Sequence, residues 1–181
     1  IKSTGKDYDT FLEALNAMNK IMAMKIAADG EGASRLVECT VKGAKNVAIA
    51  RGLAKEIIRS NLVKAAMFGK DANCGRILCA MGYSGFEFNP DKTCVYFSSK
   101  PDGKRYFEVT ENGNDTVYSD DSIEVVHNGV GLSFDEDKAE KILSSEAIEI
   151  FVNLEDGKAE GQAWGCDLTY DYVKINGDYR S

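Results

Sequence analysis

The stretch Asp29-Gly30-Glu31-Gly32 is a short acidic segment in which a glycine lies on each side of one carboxylate. A pattern typical of a helix precedes it, and a pattern typical of a strand follows it over residues 34–42. A glycine directly after a periodic apolar run usually ends a helix, so the stretch predicts a helix C-terminus and a turn. A turn needs no carboxylate between two glycines, and a negative charge is unfavourable at the C-terminal end of a helix dipole. Glu31 is therefore a candidate for binding a cation or moving a proton.

The segment before the turn predicts an amphipathic helix. Thr10 and Glu13 have the spacing of a capping box, so we expect the helix to begin at Thr10 and to end near Ala28. We expect an apolar stripe to be buried in the protein core, because its members recur every three or four positions: Phe11, Leu15, Met18, Met22 and Ile26.

Beyond the turn, helix and strand patterns follow one another without a regular strand–helix–strand repeat. Helices are predicted at 46–60, 77–81, 135–143 and 167–175, and strands at 34–42, 93–97, 105–109, 123–126, 148–154 and 158–166. The apolar run 62–67 fits either type. Asn46, Asp135 and Thr169 are expected to begin helices, as is either Asp71 or Asn73, and Asn128-Gly129 predicts a hairpin. This order predicts an α+β fold with a mixed, mainly antiparallel sheet and packed helices.

Four local expectations refine this picture. The strand from Val37 to Lys42 should bury one face, because apolar and polar residues alternate. Asp156-Gly157 should turn the chain so that strand 158–166 pairs with strand 148–154. Residues 110–121 are polar and acidic and should form an exposed excursion without a chemical role. Small residues on one face of the last strand should let another layer approach closely: Ala159, Gly161, Ala163 and Gly165.

The composition narrows the class of protein. The 181 residues have a net charge of −7, which argues against nucleic-acid binding, and 44% are apolar, enough for a folded core. The five cysteines are odd in number and form no CxxC pair, so we expect buried reduced thiols and no disulfide framework or zinc site. With His127 as the single histidine, no histidine-dependent triad or metal cluster is expected.

No signal peptide or apolar run near ~20 residues is present, and the start at Ile1 predicts a cleavage product or a piece of a longer protein.

Six segments, in order along nearly the whole chain, resemble one known family. They are 29–33 (DGEGA), 41–44 (VKGA), 62–69 (LVKAAMFG), 73–78 (NCGRIL), 82–85 (GYSG) and 164–176 (WGCDLTYDYVKIN). The chain resembles the β chain of the bifunctional ornithine acetyltransferase / N-acetylglutamate synthase family, the glutamate N-acetyltransferases of arginine biosynthesis. It departs from that family at Ala72 and Cys74, where relatives usually carry proline and tryptophan.

The resemblance implies an N-terminal-nucleophile-like layered α/β/β/α assembly that performs ping-pong acyl transfer. Such proteins are made as one precursor that cuts itself before a threonine, and this new N-terminal threonine is the nucleophile. It accepts acetyl from N2-acetylornithine and passes it to glutamate. No cofactor is implied, and acetyl-CoA is a co-substrate of the bifunctional relatives only. The implied partner is the α chain of the same precursor, which supplies the oxyanion hole, in a cytoplasmic α2β2 heterotetramer without a nucleic-acid or membrane partner.

Carried over residue by residue, the resemblance places three substrate contacts in this chain and no catalytic residue. The nucleophilic threonine is expected upstream of Ile1, and no metal ligand is expected. Glu31 is expected to bind the ammonium of ornithine or to exchange a proton with the reacting amine. Asn176 and Ser181 are expected to orient an amino-acid carboxylate as neutral hydrogen-bond donors.

The same resemblance divides the chain at the acidic turn. Residues 1–32 would end the catalytic core, and residues 33–181 would form a C-terminal α+β domain with a substrate-contacting tail. Two alternatives remain open: a non-catalytic amino-acid-binding or regulatory module, and an N-terminal-nucleophile amidohydrolase. Acetyl transfer to glutamate separates the transferase from the hydrolase, and a gene without an upstream segment favours the binding module.

Overall fold

The computed structural model describes residues 3–99, 107–109, 116–118 and 121–178. Within these ranges the helices and strands have the following bounds: α1 Lys6–Ala28, β1 Leu36–Ala44, α2 Val47–Arg59, α3 Asn61–Phe68, α4 Cys74–Tyr83, β2 Cys94–Ser99, β3 Phe107–Val109, β4 Thr116–Tyr118, β5 Ser122–His127, β6 Val130–Gly131, α5 Glu136–Leu143, β7 Ala147–Asn153, β8 Ala159–Cys166 and α6 Tyr170–Gly177. A short 3-10 helix, Pro90–Lys92, precedes β2. None of the described helices has both the length and the apolar composition that a membrane crossing requires.

Six of these strands form one mixed sheet with the order β6-β5-β2-β7-β1-β8. Strands β1 and β7 run parallel, with Leu36 opposite Ala147, whereas the other neighbours in this sheet are antiparallel. Strands β3 and β4 pair with each other in a two-stranded ribbon. The α+β class and the mainly antiparallel sheet predicted from the sequence are confirmed.

The core lies between one face of the sheet and helices α2 to α5. Helix α2 contributes Leu53 and Ile57, which are fully buried. It packs against β8 where the side chains are small. A Cβ added at Gly161 would lie 2.4 Å from the backbone nitrogen of Arg51, and one added at Gly165 would lie 2.4 Å from a methyl group of Ile58. The close approach of a second layer to the small residues of β8 is confirmed.

We expect the Gly161→Ala substitution to lower the free energy of unfolding by about 1–3 kcal/mol, because the new methyl group must displace α2 from the sheet. Gly82→Ala is a matched control, since it adds the same methyl group near the end of α4, where nothing lies within 4 Å. Alanine favours a helix over glycine by roughly 1 kcal/mol, so the control should be neutral or stabilising. Urea unfolding of the complete protein measures both changes, and equal stability of the two variants would contradict the close packing of α2.

The helix and turn signals read from single residues are largely confirmed. The predicted caps accept a backbone N–H in the first turn of their helix: Asn46, Asn73, Asp135 and Thr169. The undecided run 62–67 lies within α3, which Ser60 caps. Asn128-Gly129 forms the turn between β5 and β6, with φ of 48° and 76°.

The predicted start of the first helix is wrong, because α1 begins at Lys6 and Thr10 lies inside it. Gly5, the residue before the helix, has no side chain that could cap it. Asp7 and Asp9 lie in the first turn, where their negative charges complement the positive end of the helix dipole. This charge pattern favours a helix start one turn before the predicted cap.

Strand β1 is covered on both faces, so the prediction of a single buried face is wrong. Glu38 and Thr40 were expected to face solvent, yet they are 3% and 0% exposed. Thr40 Oγ1 donates to Glu149 Oε1 at 2.8 Å, and Gln162 Nε2 donates to Glu38 Oε1 at 3.1 Å. Strands β7 and β8 lie on the two sides of β1 and supply hydrogen-bond partners for its buried polar side chains.

The predicted pairing of β7 with β8 is also wrong, because β1 lies between them. The connection passes over the end of β1 instead of forming a hairpin. Leu154 N donates to Lys42 O at 3.0 Å and Asp156 N to Gly43 O at 2.8 Å. A Cβ at Gly157 would lie 2.3 Å from Ala44 O, so this crossing requires glycine.

The cysteines all lie in described residues and none is in a disulfide. Cys39 and Cys94 are buried as expected, and burial raises the pKa of both thiols. Cys74 and Cys166 are half-buried, and Cys79 is exposed, so the prediction of buried thiols is wrong for these three.

The predicted excursion at 110–121 contains β4, which pairs with β3. Of its other residues, 110–115, 119 and 120 lie outside the described residues, as does the start of the predicted strand at 105–109.

Candidate functional site

The acidic turn follows the end of α1, as predicted. Asp29 N donates to Lys25 O at 3.0 Å, and Ala33 N donates to Gly30 O at 2.9 Å, so the chain reverses within this stretch. Gly32 has φ of +65°, a conformation that glycine adopts without strain. The turn presents Glu31 as an exposed carboxylate.

The structure brings Glu31 and Asn176 together, although 145 positions separate them. Asn176 Nδ2 donates to Glu31 Oε2 at 2.6 Å and to the carbonyl oxygen of Tyr172 at 2.9 Å. Both of the amide N–H groups of Asn176 are therefore engaged, which leaves its oxygen as an acceptor. Ser181, the third residue predicted for the site, lies outside the described residues.

The two glycines of the turn let it lie directly against β8 and α6. A Cβ at Gly30 would lie 2.5 Å from Cys166 Sγ, and one at Gly32 would lie 2.7 Å from Tyr172 N. Thr169 links the two segments, because its hydroxyl donates to Gly32 O at 2.5 Å and accepts the N–H of Tyr172 at 3.2 Å. The same threonine therefore caps α6 and fixes that helix to the acidic turn.

Asp167 is a buried anchor beneath the turn that sequence reasoning missed. Its carboxylate accepts the backbone N–H groups of Ser34 at 2.8 Å and Arg35 at 3.1 Å, and also the Ser34 hydroxyl. The Arg35 guanidinium lies 3.4 Å from it and donates to the carbonyl oxygens of Met67 and Phe68. No spacing rule could have found this cluster, because its members come from three distant segments.

Three of the segments that carry the family resemblance meet in this cluster. Segment 29–33 supplies the turn, segment 164–176 supplies its anchor and the α6 helix, and segment 62–69 supplies the carbonyl groups that hold Arg35. The rings of Phe68 and Tyr170 meet edge to face, with 5.4 Å between their centroids. These segments therefore form one structural unit around Glu31.

The helices on each side of this unit expose apolar surface. Helix α1 contains no buried residue, so the prediction that its stripe enters the core is wrong for the described chain. Its large exposed apolar side chains are Phe11, Leu12, Leu15, Met18, Ile21, Met22 and Ile26. Helix α6 likewise exposes Tyr170 and Val173, at 81% and 61%. Apolar stripes of this extent are typical of surfaces that another protein segment covers.

Helix α1 nevertheless contacts the sheet edge through polar groups. Lys20 Nζ donates to Gln162 Oε1 at 3.0 Å and lies 5.5 Å from the centroid of the Trp164 ring. Alternate residues of β8 point to opposite faces, and Gly161 and Gly165 face α2. Helices α1 and α2 therefore lie on opposite faces of β8.

Comparison with known proteins places this arrangement in a family. The ArgJ family model matches residues 2–181. The arginine biosynthesis bifunctional protein ArgJ 1 of Clostridium acetobutylicum is 47% identical over 181 residues, which are 100% of this chain and 40% of that protein. The ArgJ protein of Thermotoga neapolitana is 43% identical over 169 residues, covering 93% of this chain and 38% of its own length. The chain thus spans about 40% of the length of these curated relatives.

A solved structure shows the same fold. The crystal structure of the arginine biosynthesis bifunctional protein ArgJ from Bacillus halodurans superposes with a TM-score of 0.81 and 38% sequence identity. The match covers 99% of this chain and 74% of that chain. The family model and these identities together show that the chain belongs to the ArgJ family.

Proposed function

We propose that this chain is one part of an acetyltransferase of arginine biosynthesis that moves acetyl from N2-acetylornithine to glutamate. The observation that carries the proposal is the Glu31–Asn176 pair, which the family-like segments hold in place. The names of the relatives, arginine biosynthesis bifunctional proteins, support the pathway. Acetyl-CoA is a further donor if this protein, too, is bifunctional, and no other cofactor is proposed.

The proposed chemistry is ping-pong acyl transfer on a threonine that lies upstream of this chain. The threonine hydroxyl attacks the acetyl carbonyl, the amine of ornithine leaves, and the amine of glutamate then attacks the acyl-enzyme. Oxyanion-hole donors from the α chain stabilise both tetrahedral intermediates. The curated relatives extend well beyond the matched segment, which leaves room for the nucleophile and these donors. We assign no catalytic residue to the present chain.

Within this scheme Glu31 binds the ammonium of ornithine, or takes and returns the proton of the reacting amine. An exposed carboxylate suits either role, because it can form a charge-assisted hydrogen bond with an ammonium group.

For Asn176 the hydrogen bonds suggest a second role beside the carboxylate contact expected from the sequence. Both of its N–H groups are engaged with Glu31 and with Tyr172 O, so it positions Glu31 in this arrangement. Asn176 and Ser181 both remain candidates for orienting an amino-acid carboxylate.

The partner proposed for this chain is the α chain from the same precursor, in a cytoplasmic α2β2 assembly. The support is the exposed apolar surface of α1 and α6, the helices on each side of the structural unit around Glu31. We place the boundary between the end of the catalytic core, residues 1–32, and the C-terminal domain, residues 33–181, at the acidic turn. The polar contacts of Lys20 with β8 connect the two parts across that boundary.

The test is an acetyl-transfer assay on the complete gene product that contains this chain. With N2-acetylornithine and glutamate as substrates, we expect ornithine and N-acetylglutamate in equal amounts. Release of free acetate in place of N-acetylglutamate would identify an amidohydrolase. Binding of the amino acids without turnover would identify a binding or regulatory module. A parallel reaction with acetyl-CoA and glutamate shows whether the enzyme is bifunctional.

A further inference from the structure

A second cluster of reactive side chains lies away from Glu31, where β2 begins and β5 ends. Cys94 Sγ lies 3.9 Å from His127 Nδ1, and His127 Nδ1 lies 2.8 Å from Glu124 Oε1. One ligand-type atom from each of the three residues lies within 4.8 Å of the other two. Thiol, imidazole and carboxylate are the three side-chain types that proteins use for zinc.

We propose that Cys94, Glu124 and His127 bind a divalent transition-metal ion, and that zinc fits the site best. Zinc bonds sulfur at about 2.3 Å and nitrogen or carboxylate oxygen at about 2.0–2.2 Å. In a tetrahedral centre these lengths place sulfur and nitrogen about 3.6 Å apart, and nitrogen and oxygen about 3.4 Å apart. The observed separations of 3.9 and 2.8 Å differ from these values by about 0.3 and 0.6 Å, and the ligand atoms of Cys94 and Glu124 lie within 4.8 Å of each other. Small side-chain rotations would bring the three ligand atoms to these distances.

The backbone holds the three ligands in a fixed frame. Strands β2 and β5 pair antiparallel, with Tyr96 opposite Glu124, and the turn after β5 returns to β2. In that turn Gly129 N donates to Thr93 O at 2.8 Å, and Asn128 N lies 3.5 Å from Cys94 Sγ. A Cβ at Gly129 would lie 2.5 Å from Pro90 O, so the turn packs tightly against the start of β2. A site on paired strands keeps its geometry better than one on a loop.

Exposure and charge both suit a metal ion. Cys94 is buried, whereas the side chains of Glu124 and His127 are 18% and 56% exposed, so an ion can enter from the histidine side and keep a water ligand. A bound divalent cation would displace the thiol proton and balance the charges of one thiolate and one carboxylate.

The soft ligands set the class of metal. Thiolate and imidazole select zinc and similar transition metals over magnesium and calcium, which prefer oxygen ligands. This site goes against the prediction of no zinc site, which rested on the absence of a CxxC pair and on the single histidine. Cys94 lies 30 positions before Glu124, outside any zinc-ligand spacing. Strand pairing, not spacing, brings the ligands together.

The test is a metal titration of the complete, chelator-treated protein, with Co²⁺ as the spectroscopic probe and Zn²⁺ as its competitor. For the wild type we expect one ion per copy of this chain, with a sulfur-to-cobalt charge-transfer absorption band that Zn²⁺ abolishes. Cys94→Ser should remove the band. His127→Gln should weaken binding of both ions at least ~10-fold. Loss of a residue that only hydrogen-bonds a metal ligand already costs about 10-fold in affinity, and His127 is proposed as a ligand itself.

The matched control is Cys79→Ser, which removes an exposed thiol on α4 and should leave the band and the affinity unchanged. The exposed His127 side chain makes His127→Gln informative even if Cys94→Ser fails to fold. A wild type without the band would overturn the proposal, as would equal Co²⁺ affinity in the wild type and His127→Gln. The readout is metal binding, so the result does not depend on acetyl transfer.

Discussion

In the complete protein, Glu31→Ala is expected to slow acetyl transfer from N2-acetylornithine to glutamate at least ~100-fold. One aligned charged or hydrogen-bonding group that acts in the transition state is typically worth a factor of about 10²–10³ in rate. The substitution also removes the acceptor of the 2.6 Å hydrogen bond from Asn176. Steady-state kinetics with both substrates varied gives one kcat for the whole cycle, a KM for each substrate, and kcat/KM for each half-reaction.

Asp29→Ala is the matched control, since it removes an exposed carboxylate from the same turn two positions away. Its rate should stay within about threefold of the wild type, because the contribution of Asp29 to the helix end is a backbone N–H. If Glu31→Ala turns over at the wild-type rate, Glu31 does not belong to the site.

Glu31→Gln separates the two roles proposed for the carboxylate. The amide keeps the size of the side chain and can still accept a hydrogen bond, but it carries no charge and cannot take up a proton. A raised KM with unchanged kcat indicates a binding contact that is equal in the ground and transition states. A fall in kcat indicates proton transfer, or an interaction made in the transition state.

The second large effect concerns the anchor beneath the turn. Asp167→Ala is expected to lower the free energy of unfolding by about 3–5 kcal/mol, because it leaves the charge of the largely buried Arg35 guanidinium without its carboxylate. The Asp167 side chain is 0% exposed and that of Arg35 is 13% exposed. Two backbone N–H groups, of Ser34 and Arg35, lose their acceptor as well. Urea unfolding of the complete protein measures the change.

Asp156→Ala provides the comparison for Asp167→Ala. Asp156 pairs with Lys45 at 3.3 Å, but the two side chains are 26% and 55% exposed. A solvent-exposed ion pair contributes about 0–1 kcal/mol, so this variant should be nearly as stable as the wild type. A loss of less than ~1 kcal/mol in Asp167→Ala would show that the anchor does not hold the turn.

Local features of the fold could be predicted from the sequence because a few neighbouring residues determine them. Asn46 and Thr169 cap their helices as expected, and Asn128-Gly129 turns the chain with positive φ at both positions. The end of α1 at the acidic turn is determined in the same local way.

Burial and strand partners could not be predicted in this way, because they depend on distant segments. Thr40 has the pattern of an exposed strand residue, yet it is buried, since it lies opposite Gln162 on the face of the sheet that α1 contacts. The insertion of β1 separates β7 from β8, which adjacency in sequence had predicted to pair. The stripe of α1 has a core-like pattern, yet in the described chain no element covers it.

In the candidate site, too, the residue with a local signal could be predicted, whereas contacts between distant segments could not. Glu31 stood out because a carboxylate between two glycines is unnecessary for a turn, whereas Asn176 was assigned through the family resemblance alone. Their hydrogen bond became visible only in the structure. Asp167 was missed because its partners, Ser34 and Arg35, precede it by more than 130 positions.

The most direct test of the central claim is intact-mass spectrometry of the complete gene product, under denaturing and then native conditions. We expect two polypeptides under denaturing conditions, the second beginning with threonine and containing this sequence. Under native conditions we expect one assembly with two copies of each. A single uncut monomer no larger than this chain would contradict the proposed transferase, because the nucleophile and the covering α chain would both be missing.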